Sequence, residues 1–226
     1  MNFLIIGLGN FGSELAIKLT QMGHEVIGID KRMEKVELYK DDITHTICAD
    51  CTDIHTANDL PVKDTDAVIV CIGENEGESI MATAMMKQLK AKRIISRAVS
   101  SLQETVIQTM GIEEIVHPEV DAADKLARML STKHYIDSFE LSNGYTIVKA
   151  KVPEKYEGKL LRDLDLRNSF GLTVLTTITP VKEKNIFGVT HDVMQVNEVA
   201  GAYTALQKND IMVVYGHAKD IESFLA

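Results

Sequence analysis

The 226-residue chain carries a formal net charge of −9 and is 45% hydrophobic. This suits one large or two small domains with a real core, and the acidic balance argues against a nucleic-acid interface, which needs a clustered basic face. No apolar run approaches the ~20 residues of a membrane-spanning helix. An odd count of three cysteines fits a reducing cytoplasm.

The N-terminus has no basic leader and enters a strand, Phe3 to Ile6, directly, so no signal peptide is expected. That strand runs into Gly7-Leu8-Gly9-Asn10-Phe11-Gly12, a G-x-G-x-x-G between a strand and a helix. In such a turn the first glycine permits the tight bend, the second lets backbone approach a pyrophosphate, and the third lets helix and strand pack closely. Phosphate would sit at the helix N-terminus, where N–H groups and the dipole favour an anion. The helix is predicted from Asn10 to Met22, with Phe11, Leu15, Leu19 and Met22 on one face and Gly23 ending it. A second strand, His24 to Ile29, ends at Asp30, placed to accept ribose hydroxyls.

The alternation continues. A short helix (Met33 to Lys40), a strand (Thr46 to Cys48), the loop Ala49-Asp50-Cys51-Thr52 and a helix (Ile54 to Asp59) precede the strongest strand, Ala67 to Ile72. That strand ends at Gly73-Glu74-Asn75, and a helix from Glu76 to Lys90 should turn Ile80, Met81, Ala84, Met85 and Leu89 inward. A strand (Arg93 to Arg97), a helix (Leu102 to Met110), a short strand (Glu114 to Val116) and a helix (Val120 to Leu130) follow, the last with Leu126, Ala127 and Leu130 aligned. Alternating strands and helices imply an α/β fold, a Rossmann-like doubly wound parallel sheet with right-handed crossovers. Gly7, Asp30, Asp50, Gly73 and Arg97 should then share its carboxyl edge, where ligands bind.

Past Lys133 the pattern becomes that of a second, smaller α+β domain, giving expected domains of 1–134 and 135–226. Ile136 to Leu141, Thr146 to Val152, Leu172 to Ile178 and Ile211 to Tyr215 read as strands, and Lys219 to Leu225 as a helix. Val181 to Gln207 lacks periodicity and reads as a long connection.

Together, G-L-G-N-F-G, I-D-K, A-D-C-T-D, I-G-E-N-E and H-P-E resemble the RCK (KTN) domain of the Trk/Ktr potassium-uptake systems. L-R-D-L-D-L-R-N-S-F-G and K-N-D-I-M-V-V-Y-G resemble that family's C-terminal lobe. The resemblance implies a cytoplasmic regulatory subunit, peripheral to the inner face of the membrane. Such a subunit binds an adenine nucleotide, forms homodimers that build a ring, and gates an integral-membrane potassium transporter subunit. Residue by residue, it implies that Gly7, Leu8, Gly9, Asn10 and Phe11 form the phosphate turn and Asp30 holds ribose, flanked by Lys31. Asp50, Cys51 and Thr52 would line the adenine end, and Ile72, Gly73, Glu74 and Asn75 would close the pocket opposite Arg97. Glu119 matches an acid that in some members helps bind a divalent cation at the dimer contact, and the segment with Leu161, Leu164, Leu166 and Arg167 is comparable to one near which some relatives bind cyclic di-AMP. Asn10 departs from the family: many members carry Arg there, whose full charge favours ATP or ADP, whereas a neutral Asn leaves NAD(H) at least as well matched. Cys51 stands where Ala is usual, and the connection after Val181 is longer than the family's.

Other readings compete. His45-x-x-Cys48-x-x-Cys51-x-x-x-His55 carries zinc-ligand residue types, but on an extended strand His45 and Cys48 face opposite ways. Cys48 and Cys51 as a redox pair want a helix N-terminus directly after them, which the sequence does not mark clearly. Tyr145-x-x-x-Lys149 matches a short-chain dehydrogenase pair that needs one helical turn, yet Thr-Ile-Val favours a strand, placing the two roughly 13 Å apart at about 3.3 Å per residue. The alternative function, a small NAD(P)-dependent oxidoreductase, needs an acid–base set that these motifs do not supply.

Overall fold

A computed structural model describes residues 1–131, 134–184 and 190–226. The chain divides into two compact units, Met1–Asp121 and Ala122–Ala226.

The first unit alternates β1 (Asn2–Ile6), α1 (Asn10–Gln21), β2 (Glu25–Asp30), α2 (Met33–Tyr39), β3 (His45–Cys48), α3 (Ile54–Asn58), β4 (Ala67–Val70), α4 (Glu76–Gln88), β5 (Ile94–Arg97), α5 (Ser101–Thr109) and β6 (Glu114–Val116). Its six strands are parallel in the order β3-β2-β1-β4-β5-β6, the doubly wound order with its switch point between β1 and β4. Both sheet faces are covered, so the central strands are continuously apolar rather than alternating. Leu4 and Ile6 pack with Val68, Val70, Ala82 and Met86 on one side. Ile5 packs with Leu8, Ala16, Val26 and Ile69 on the other.

Helix faces depart in part from expectation. Phe11, Leu15 and Leu19 of α1 pack against the core as expected, but Met22 is exposed and the most buried residues are Gly12, Ser13 and Ala16. α4 buries Ser79, Ala82, Thr83 and Met86, leaving Met81 and Ala84 outside. The inward side of α4 is set by small residues that let helix and sheet approach, and by a buried 2.9 Å hydrogen bond between the Thr83 and Ser96 hydroxyls. Ile80, Met85 and Leu89 pack against the core as expected, but a count of large apolar side chains misses Ser79, Ala82 and Thr83.

α6 (Pro118–Ser131) carries no buried residue, and Val120, Leu126, Met129 and Leu130 are all exposed. In the second unit follow β7 (Tyr135–Glu140), β8 (Tyr145–Lys151), α7 (Leu161–Leu164), α8 (Leu166–Phe170), β9 (Thr173–Lys184), β10 (Thr190–Val199), β11 (Ile211–His217) and α9 (Ala218–Leu225). The strands form an antiparallel sheet ordered β10-β9-β11-β8-β7. Alternate residues of β8 (Val148, Ala150) and β11 (Met212, Val214) join Ile221, Phe224 and Leu225 of α9 in one core. Tyr145 and Lys149 both lie in β8, as the strand reading requires.

The expected long connection from Val181 is instead strand at both ends: β9 runs on to Lys184 and pairs with β10, residues 185–189 lying outside those described. β10 sits at the sheet edge and is exposed along nearly its whole length, so no burial imposes an alternating pattern on its sequence.

Candidate functional site

The glycine turn is built by close approach. Gly7 has φ +96°, and its N–H donates to Ile29 O at 2.7 Å, tying the turn to β2. A Cβ on Gly12 would lie 2.0 Å from Gly7 O, so only glycine lets α1 start where it does. A Cβ on Gly9 would meet nothing within 4 Å. Gly9 therefore faces open space beside the first turn of α1, whose N-terminus has no side-chain cap. Those uncapped N–H groups and the dipole can receive an anion.

Asp30 is buried, and both of its carboxylate oxygens have partners while acceptor capacity is left for a ligand hydroxyl. One carboxylate oxygen accepts the Leu8 N–H at 2.9 Å, and the other accepts the Arg32 N–H at 2.9 Å and Arg32 Nε at 3.3 Å. A buried carboxylate needs such partners. These hold the turn against the tip of β2. Two ion pairs link that tip to the end of β4 and the start of α4: Arg32 to Glu74 at 3.0 Å and Lys31 to Glu78 at 2.6 Å. The hydrogen bond to Asp30 raises the affinity of Arg32 for its proton, and the bond to Glu78 does the same for Lys31.

Asp50 accepts from Thr52 through N–H (2.9 Å) and hydroxyl (2.7 Å), bonds that lower its pKa. Asn75 caps α4, accepting the Glu78 N–H at 3.1 Å. Burial pushes the thiols of Cys51 and Cys71 up to about 12, which keeps both protonated and inert. A helix does start directly after Cys51, with Asp53 capping α3, but burial outweighs any activation it offers. Arg97, at the end of β5, donates to Cys71 O at 3.3 Å, pairs with Glu119, and stands 6.0 Å from the Phe11 ring centroid.

These groups line one cavity of about 530 Å³. It brings together Gly7, Gly9, Asn10, Phe11, Asp30, Lys31, Asp50, Cys51, Thr52, Ile72, Gly73, Glu74, Asn75 and Arg97, with Glu119 at its rim. The structure places Leu8 elsewhere: its side chain is wholly buried in the core under the turn, and only its N–H serves the site, through Asp30. The cavity also takes in Arg32, Lys35 and Glu78. Glu78 was findable as the fourth position of an Asn75-x-x-Glu78 cap. Lys35 gives no signal beyond lying one helical turn past Lys31.

The residues do not fit a cation within one chain. Glu119 is a single carboxylate already held by Arg97, and no cluster of three or more metal-ligating side chains occurs among the described residues, whereas a hard divalent ion takes six or more oxygens. In the second unit, Leu166 is core, and Leu161 and Leu164 pack against it, leaving Arg167 exposed.

Residues 3–118 match the model of the TrkA-N domain family. The chain is 31% identical over 229 residues to the Ktr system potassium uptake protein A of Bacillus subtilis (strain 168), covering 98% of this chain and 94% of that protein. The chain belongs to the TrkA-N family of Ktr potassium-uptake proteins. The Ktr system potassium uptake protein C of the same organism is likewise 31% identical over 222 residues, covering 98% of this chain and 95% of that protein. A structure described as the GsuK channel bound to NAD shares the fold, with a TM-score of 0.63 at 15% identity over 99% of this chain and 39% of that one. In this Ktr-family chain the TrkA-N match takes in every lining residue of the cavity except Glu119.

Proposed function

We propose that this chain is a cytoplasmic, nucleotide-binding regulatory subunit that gates a Trk/Ktr-type potassium transporter in the membrane. The observation that carries the ligand is the cavity at the carboxyl edge, where Gly9 leaves open space against an uncapped helix N-terminus. The ligand is an adenine nucleotide, NAD(H) or ATP/ADP. Neutral Asn10 and the cavity's own surplus of acids over bases favour the less charged NAD(H). The functional domains are 1–134 and 135–226. The exposed apolar residues of α6 and the edge strand β10 are consistent with assembly into homodimers and a ring. A divalent cation at Glu119 would need oxygens from a second chain or from the ligand, and cyclic di-AMP in the C-terminal domain would need a site beyond the core leucines. No helix among the described residues is long and apolar enough to cross a membrane, which suits a peripheral subunit.

The oxidoreductase reading is less well supported. The cavity lining includes neither His nor Tyr, and both its thiols are held protonated. Gating requires a ligand that binds two conformations unequally. Calorimetric titration with NAD+, NADH, ATP and ADP tests the ligand. Recovery of the chain with a potassium-transporter subunit from membranes tests the partner, and cofactor turnover with a small metabolite would overturn the regulatory reading.

A further inference from the structure

Resting on the reading that the cavity takes an anionic nucleotide, we infer that Glu119 is a built-in competitor for Arg97, displaced by an anionic group of the ligand, and that this displacement releases the first turn of α6. Both side chains line the cavity. The Arg97 side chain is only 14% exposed and is fixed on several sides. It donates to Cys71 O, its guanidinium lies near Phe11 of the phosphate turn, and it occupies the space that a Cβ on Gly73 would need, 2.5 Å from Cζ. Even so, its Nε is buried without an acceptor, so the guanidinium is short of one partner. Glu119 meets it through a single nitrogen and is 59% exposed.

The pair is therefore asymmetric: a fixed, under-satisfied cation and a loosely held, solvated carboxylate. An exposed carboxylate on one donor is a weak partner, whereas a guanidinium binds oxyanions best through two parallel N–H groups. A ligand phosphate entering past Gly9 meets Arg97 across Phe11 and replaces Glu119. Glu119 belongs to the first turn of α6, a helix that runs on to Ser131. Losing the contact frees the start of that helix, so occupancy is passed out of the cavity along one continuous element.

The sign of this effect separates it from a ligand-holding role. Removing a competitor tightens nucleotide binding; removing a ligand-holding carboxylate weakens it. Wild type, Glu119→Gln and the control Glu113→Gln, which removes the same charge from an exposed position outside the cavity, are titrated calorimetrically with NAD+, NADH, ADP and ATP. Hydrogen exchange of the α6 amides is followed with and without each nucleotide. Glu119→Gln should bind about two- to fivefold more tightly, the range an exposed ion pair supports, and Glu113→Gln should match wild type. Nucleotide should speed exchange in wild-type α6 from the Asp121 amide onward, the first of the helix that donates to a carbonyl (His117 O, 2.9 Å), and Glu119→Gln should show that faster exchange before nucleotide is added. Arg97→Lys, which keeps the charge but loses the fork, should remove the effect of Glu119→Gln. Nucleotide binding to wild type with equal or weaker binding to Glu119→Gln would overturn this inference alone. Absence of binding by all four nucleotides to wild type would overturn the reading of the cavity, and this inference with it.

Discussion

Replacing Gly9 and Gly12 by alanine, one at a time, separates the fold of the glycine turn from its use. At Gly12 the added Cβ would lie 2.0 Å from Gly7 O, 2.9 Å from Cys71 Cβ and 3.2 Å from Gly7 C. The closest of these is backbone, so α1 must move by more than an ångström or the turn must open. Overpacking of that kind costs about 1–3 kcal/mol, and more where backbone is the obstacle. Alanine returns at most about 1 kcal/mol through helix propensity. The clash wins, with a net loss of about 2 kcal/mol, or roughly 4–8 °C in the melting temperature of a unit this size. At Gly9 nothing lies within 4 Å of the added Cβ, and φ is −74°, open to any residue. Gly9→Ala should therefore melt with wild type to within about 0.5 kcal/mol. Its methyl nevertheless occupies the space a pyrophosphate backbone needs, so nucleotide affinity should fall at least about tenfold. Differential scanning calorimetry and nucleotide titration of both variants measure the two effects. A Gly12→Ala chain as stable as wild type would refute the packing argument. A Gly9→Ala chain that keeps wild-type affinity would refute the placement of the phosphate.

Asp30→Ala should abolish nucleotide binding and also cost about 1–3 kcal/mol, because the Leu8 N–H loses its acceptor; unchanged affinity by titration would mean the ribose is held elsewhere. Thr83→Val should destabilise by about 1–3 kcal/mol in chemical denaturation, since Ser96 Oγ is left buried without its partner; a neutral result would show that α4 does not rely on that bond. Iodoacetamide with mass detection at pH 8 should label exposed Cys48 in the folded chain and spare Cys51 and Cys71. Because both buried thiols titrate near 12 when folded and near 9 when unfolded, their contribution to stability is fully present below pH 9 and is lost as pH rises toward 12; denaturant midpoints that stay flat over that window would contradict their burial.

The first unit was legible because its signals are local and redundant. β1, the glycine turn and Asp30 sit in an order that one backbone geometry explains, and the structure gathers them around one cavity. The side chain of Leu8 was not legible, because a motif position says nothing about side-chain direction: the turn aims its N–H at Asp30 and its side chain into the core. The inward side of α4 was legible only in part: Ile80, Met85 and Leu89 pack against the core as expected, whereas Ser79, Ala82 and Thr83 are small residues and part of a buried hydroxyl pair, which hydrophobic periodicity cannot register. β10 failed for the opposite reason: an exposed edge strand is held by its ladder to β9, and solvent imposes no pattern on its side chains. Arg97 and Glu119 are 22 residues apart in sequence, and only the parallel register of β5 and β6 brings the end of one strand beside the helix after the other.

The central claim, that the cavity between Gly7 and Arg97 is a nucleotide sensor's site, is tested most directly by calorimetric titration of the purified chain with NAD+, NADH, ATP and ADP, repeated on Gly9→Ala. The account predicts saturable binding of at least one of the four, with NAD(H) binding at least as tightly as ATP or ADP, and its loss in Gly9→Ala. No binding by any of them, or binding that survives Gly9→Ala unchanged, would contradict it.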